Sequence, residues 1–238
     1  MKQSLRVPAT PHRAWQAWAE PDRIVEWFPD RAEGGSLPGD EIEWRFNGFD
    51  RPIRAVVERS HPGRDLIYSL EAGMSGGVIE VRFESDGEGT NVEVTQSGVP
   101  ESGEFDELAL GISSGWANTL NYLRLYLERY QGRPRHTHAA LAGIAAACDS
   151  AMQWFEPGLK RERWLDVPAQ ELTPGWRAPR HFVWLWPAIE GAIEMSVFEA
   201  PGPQPTVCLR AVYWNDAPIS GLDRRLGSCV QRLATLLS

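Results

Sequence analysis

The apolar residues of this chain change their period twice, and that change limits the folds open to it. Between Asp40 and Thr95 they recur at every second position. Ile42, Trp44 and Phe46 alternate with Glu41, Glu43 and Arg45; Ile79, Val81 and Phe83 alternate with Glu80, Arg82 and Glu84; Val92 and Val94 flank Glu93. Ile53, Ala55 and Val57, then Leu66, Tyr68 and Leu70, continue the pattern less strictly. Successive side chains of a strand face opposite ways, so this stretch predicts about five antiparallel strands with one face in a core and one in water. Asn47-Gly48, His61-Pro62-Gly63, the glycines from Gly73 to Gly77 and Asp86-Gly87-Glu88-Gly89 are the turn residues such a meander needs. After Pro100 the period returns to 3.6, with Ile112, Trp116, Leu120, Leu123 and Leu127 on one stripe of a long helix that ends near Gly132. The expected class is α+β, an antiparallel sheet gripping a long C-terminal helix.

Upstream, residues 4–9 read as a short strand. Thr10-Pro11 supplies an N-cap and a first-turn proline for a helix carrying Ala14, Trp15, Trp18 and Ala19, which Pro21 interrupts. A second short helix is expected over 22–28, before the break at Gly34, Gly35, Pro38 and Gly39. Residues 133–138, Arg-Pro-Arg-His-Thr-His, read as a linker. Beyond it, 139–155 is expected to be helical, with its first few residues open to a short strand. Strands are expected over 161–167, 180–187, 192–198 and 207–214, and a closing helix over 222–237.

That closing helix repeats the first one. Leu222, Leu226, Val230, Leu233 and Leu237 have the spacing of Ile112, Trp116, Leu120, Leu123 and Leu127 at a constant offset of 110. Gly77-Val78-Ile79-Glu80-Val81 matches Gly191-Ala192-Ile193-Glu194-Met195, and Glu20-Pro21, Trp27 and Pro38-Gly39 match Glu156-Pro157, Trp164 and Pro174-Gly175. With Gly111 and Gly221 opening the two helices, six features in one order point to a duplication. The stretch from Trp27 to Gly77 spans 50 residues and that from Trp164 to Gly191 spans 27, so the second copy is short by 23, about one hairpin. Two domains are expected, 1–132 and a shortened, degenerate copy over 139–238.

Charge excludes some partners. Residues 1–132 carry 13 Lys and Arg against 22 Asp and Glu, an acidic surface that repels phosphate backbones and anionic lipid, so neither nucleic acid nor membrane is an expected partner. Cys148, Cys208 and Cys229 lack the spacing of a zinc site or a disulfide framework and read as buried thiols. The first residues have no apolar leader-like region, and the expected location is cytoplasmic. Phosphate-binding glycine loops, nucleophile elbows and zinc-protease motifs are missing from the sequence. The alternating carboxylates belong to the wet sheet face, His136 and His138 to the linker, His61 to a hairpin and His12 to the exposed first turn of a helix, while His181 opens a strand and has no evident partner. No cofactor, metal site or catalytic residue is expected.

The order strand, two short helices, meander, long helix resembles the START-like helix-grip superfamily (SRPBCC). The run Val7-Pro8-Ala9-Thr10-Pro11-His12-Arg13-Ala14-Trp15-Gln16-Ala17-Trp18, followed by Glu20-Pro21, Trp27-Phe28 and Gly34-Gly35, is similar to the opening of the branch related to the activator of the heat-shock-protein-90 ATPase, and Gly115-Trp116 to its closing helix. The resemblance implies an apolar cavity between sheet and helix, walled by Trp44, Phe46, Tyr68, Phe83, Trp116 and Leu120. It does not imply one activity, because fold alone does not carry function. Three expectations follow from it. The first is non-catalytic binding of a small apolar or amphipathic ligand in that cavity; the second is a co-chaperone-like adaptor that works through its surface; the third is a cyclase or hydrolase of the same superfamily.

Overall fold

Strand pairing in the first unit runs further than the alternation alone predicted. The computed structural model, described over residues 1–47, 51–71, 77–98, 106–155, 171–199 and 204–238, contains two compact units, Met1–Arg133 and Pro134–Ser238. In the first, β1 (Lys2–Val7) is followed by α1 (Pro11–Ala19), α2 (Pro21–Ile24), β2 (Arg31–Gly34), β3 (Glu41–Arg45), β4 (Ile53–His61), β5 (Asp65–Leu70), β6 (Val78–Ser85), β7 (Thr90–Ser97) and α3 (Asp106–Leu125), whose last turn widens to a π-type turn over Tyr126–Tyr130. The seven strands form one antiparallel sheet in the order β1-β7-β6-β5-β4-β3-β2. α3 lies along β1, and α1 covers β5, β6 and β7. This is the helix-grip architecture.

Local chemistry sets the element ends. Thr10 Oγ1 accepts the Arg13 N–H at 3.4 Å, and Pro11 opens α1. Glu20 is extended because Pro21 follows it, which ends α1. α2 is shorter than the expected 22–28. The Trp27 indole donates to Ala17 O at 2.7 Å, and Pro29 disfavours a helical Phe28, so the chain turns after Ile24 and carries both rings inward. Gly34, expected only as a breaker, closes the short edge strand β2. Its φ is +122°, and a Cβ there would lie 2.1 Å from Glu41 O. The turn residues Gly48 and Gly73 to Gly76 lie outside the described residues.

The second unit consists of β8 (His136–Gly143), α4 (Cys148–Phe155), β9 (Thr173–Ala178), β10 (His181–Trp186), a 3-10 turn over Pro187–Ile189, β11 (Gly191–Glu199), β12 (Pro205–Tyr213) and α5 (Leu222–Leu236). Its five strands run β8-β12-β11-β10-β9. Both sheets therefore place their first strand beside their last and step back through a meander. Two expectations need correction. Residues 136–138 are not linker but the start of β8, and 139–155 is helical only from Cys148. The alanines after His138 favour a helix on their own, but pairing with β12 from Tyr213↔His136 to Thr206↔Gly143 overrides that preference. β9, at Pro174-Gly175, was not foreseen, and the strand expected over 161–167 lies outside the described residues.

Candidate functional site

Four of the first unit's tryptophans, Trp18, Trp27, Trp44 and Trp116, are buried at the inward side of its sheet. On β3, Ile42 and Trp44 face in and are buried, while Glu43 on the other face pairs with Arg45 and Arg54. Tyr68 on β5 packs edge-on against Trp44 with ring centroids 5.2 Å apart. Register carries the row onward from Tyr68 to Ile79 on β6 and Gln96 on β7. From α3, Trp116 reaches down to that row, and its indole N–H donates to Gln96 Oε1 at 2.6 Å. Leu120, one turn further along α3, is also buried.

Phe28 joins the rest. Its ring lies 5.9 Å from Trp44, 5.1 Å from Phe46 and 5.8 Å from Trp116, and it also meets Trp18 at 6.4 Å and Trp27 at 5.5 Å. Trp18 in turn stacks on Trp116 at 5.9 Å. Five of the six expected wall residues therefore line one helix–sheet interior: Trp44, Tyr68, Trp116 and Leu120 in its depth and Phe46 half-buried at its side. Phe83 is buried but stands apart. It lies four residues along β6 from Ile79, roughly 13 Å, and makes no ring contact with the cluster.

Three groups in this interior were not in the sequence-derived set. Trp18 and Phe28 stood in the sequence as helix core and family words, and periodicity gave no sign that their rings would meet Trp116. Gln96 did carry a signal, because it falls in phase with the buried Val92 and Val94 and so puts an amide where the pattern asks for an apolar group.

The polar accounting is incomplete. Trp116 and Trp27 have acceptors, but the buried indole N–H groups of Trp18 and Trp44 have none among the described residues, and neither does that of Trp15. Burial also pushes the Tyr68 phenol well above its usual range, so it remains a neutral O–H at any physiological pH. The arrangement offers aromatic faces and hydrogen-bond donors. Among the described residues it holds no nucleophile beside a base.

The second unit gathers its polar groups elsewhere. Glu194 on β11, buried, accepts from His181 Nδ1 at 2.8 Å and from Arg210 at 2.7 and 3.1 Å. Burial raises its carboxyl, but the Arg210 charge and the His181 hydrogen bond more than offset that and hold it below the usual carboxylate range. Cys208, on the same sheet face, is pushed up to about 12 by burial and by the Glu194 charge, so its thiol stays protonated. His136 and His138 stack on Tyr213, whose hydroxyl lies 3.0 Å from His138 Nε2 and accepts the Ile219 N–H. No group of three or more His, Cys, Asp or Glu side chains among the described residues could hold a metal ion. Nor is any described helix long and apolar enough to cross a membrane.

A seven-stranded sheet closed over a long C-terminal helix, with an aromatic interior, defines a helix-grip domain of the START-like class. The family model described as "Activator of Hsp90 ATPase homolog 1-like protein" matches residues 8–128, about half the chain, and the chain belongs to that family. Similar solved structures include the Aha1 dimer from Colwellia psychrerythraea, 23% identical, covering 54% of this chain and 95% of that one with a TM-score of 0.49. Protein SSP2350 from Staphylococcus saprophyticus is 21% identical, with 53% and 90% covered and a TM-score of 0.47. DynU16, a putative protein in the dynemicin biosynthetic locus, is 17% identical, with 100% and 98% covered and a TM-score of 0.48. No curated protein matches the chain.

Proposed function

We propose that the first unit binds a small apolar or amphipathic molecule non-covalently between its sheet and α3, against Trp44, Phe46, Tyr68, Trp116 and Leu120. The observation that supports this most is the aromatic cluster, which mixes ring faces with the Gln96–Trp116 hydrogen bond and two further indole donors in one buried interior. Binding sites for small ligands have this make-up, mostly apolar with a few polar groups to fix orientation. The second unit, in this reading, is a shortened copy of the same grip that has lost the site; its strand order and closing helix support that origin. The test is titration with the amphipathic probe 1-anilinonaphthalene-8-sulfonate. One saturable site is expected, weakened at least tenfold in Trp44→Ala and Trp116→Ala chains that keep their far-ultraviolet circular dichroism. Unchanged binding in both variants would sink the assignment.

The family description favours a second reading, an adaptor that contacts a chaperone of the kind it names through the acidic surface of residues 1–132. The two separate cleanly. Charge reversals on the wet sheet face, such as Glu41→Lys, would abolish an adaptor's contact and leave probe binding intact.

A further inference from the structure

We infer that the ligand of this site is a planar ring system bearing a hydrogen-bond acceptor on its edge, and that it binds by displacing Phe28, whose ring stands in for it in the closed structure. The inference rests on the binding reading above and specifies its chemistry. Trp18 and Trp44 are 0% and 1% exposed, and their indole N–H groups have neither an acceptor among the described residues nor surface open to water. An indole nitrogen only donates, so a partner must bring a lone pair such as a carbonyl oxygen, and a donor such as an amine would gain nothing there. Leaving a buried donor unpaired is costly, which makes supplying the acceptor a source of affinity that a pure hydrocarbon cannot use.

Phe28 is the ring that touches both orphan-bearing indoles, Trp18 at 6.4 Å and Trp44 at 5.9 Å, and it also meets Trp116. A planar ligand in its place would inherit those ring contacts, and in this inference its acceptor edge meets the two N–H groups. Phe28 is also the member of the cluster best able to leave. It is half-buried where Trp18 and Trp44 are fully buried, and it sits in the turn between α2 and β2 rather than on the sheet or α3. Its backbone N–H is held by one turn hydrogen bond, to Ile24 O at 2.9 Å. Moving it breaks no strand pairing.

The experiment compares two bicyclic probes of nearly one shape, 1-tetralone, which carries a carbonyl, and tetralin, which does not, on the full-length protein. Affinity is measured by calorimetry and the tryptophan side-chain N–H resonances by nitrogen-15 correlation spectra, assigned with Trp→Phe variants. Tetralone is expected to bind about tenfold more tightly than tetralin and to move the Trp44 and Trp18 resonances downfield, leaving Trp15, the orphan outside the cluster, in place. Trp44→Phe should erase most of the preference, and Phe28→Ala should tighten both probes while keeping their ratio. Equal affinities without downfield shifts would overturn the acceptor inference and leave ligand binding standing. Weaker binding of both probes to a folded Phe28→Ala chain would make Phe28 a wall and overturn its displacement. If neither probe binds the wild-type chain, the binding reading falls too.

Discussion

The two units answer the same architectural question with opposite interiors. Across the middle of the first sheet the inward row reads Tyr68, Ile79, Gln96; across the second, the row through the matching isoleucine reads Trp184, Ile193, Ala211. The helix above differs in the same way, with Trp116 over the first row and Leu226 at the position 110 residues later. The second interior is a continuous apolar cluster in which Leu226, Ile193 and Ala211 are all buried. The first keeps a buried amide and two unpaired indole donors. A core selected only to hold a fold removes such groups, because each costs stability unless it is paired. Retained polarity therefore supports the proposal that the first interior is the binding one, and the apolar cluster of the second fits a structural role in that proposal.

The outer faces reverse this contrast, and the largest expected effect follows. Glu80 and Glu194 occupy the same place in the words Gly-Val-Ile-Glu and Gly-Ala-Ile-Glu. The half-buried Glu80 meets the exposed Arg59 and Arg82, while the Glu194 side chain is 5% exposed between His181 and Arg210. Glu194→Ala removes a buried carboxylate from the half-buried Arg210 and from His181 and should cost up to about 3 kcal/mol of unfolding free energy, the low end of the range for a buried pair. Glu80→Ala, which removes only a solvated pair, should leave stability nearly unchanged. Urea denaturation of both variants checks this, and equal losses would end the distinction between the two faces.

Exchanging the helix residues tests the interiors. Leu226→Trp forces an indole into a filled cluster and should destabilise by about 1 to 3 kcal/mol through overpacking. Trp116→Leu should cost about as much for a different reason, the buried Gln96 oxygen left without its donor, and it should also abolish probe binding. If Leu226→Trp is tolerated without loss and creates a second probe site, the second interior has room for a ligand and the contrast between the two units fails.

How much of this was legible beforehand depends on range. The meander, the closing helices and the inward placement of Trp44, Tyr68, Trp116 and Leu120 follow from local periodicity, which strands and helices obey wherever one face is buried. Phe28 was hidden because its role arises from a turn that carries the ring out of helical register, and no repeat records such a turn. Phe83 was included because alternation reports a face but not a position along the strand. β8 reads in the sequence as linker and helix, with only the first residues after 138 open to a short strand, because its alanines favour helix until β12 is present to pair with them. His181 had no evident partner for the same reason, since Glu194 is 13 residues away and only the β10–β11 register brings them together.

The smallest effect is a pH dependence confined to the second unit's buried carboxylate. Glu194 is held below the ordinary carboxylate range, so the folded chain keeps it ionised where the unfolded chain's glutamate takes up a proton, near pH 4.3. The unfolded state then binds more protons than the folded one, and stability must fall as pH falls. The contribution is complete above roughly pH 5.5; by linkage it falls by under about 1 kcal/mol at pH 4 and by about 2 kcal/mol at pH 3. Arg210 stays charged throughout, so the loss is not offset by release of its partner. Glu194→Gln removes the titrating group and keeps its shape. The stability gap between wild type and this variant, measured in urea at pH 7 and pH 4, should therefore narrow by under about 1 kcal/mol. A gap that stays constant would mean that Glu194 is not ionised against Arg210 in the folded protein, and the second sheet face would then be as neutral as the interior behind it.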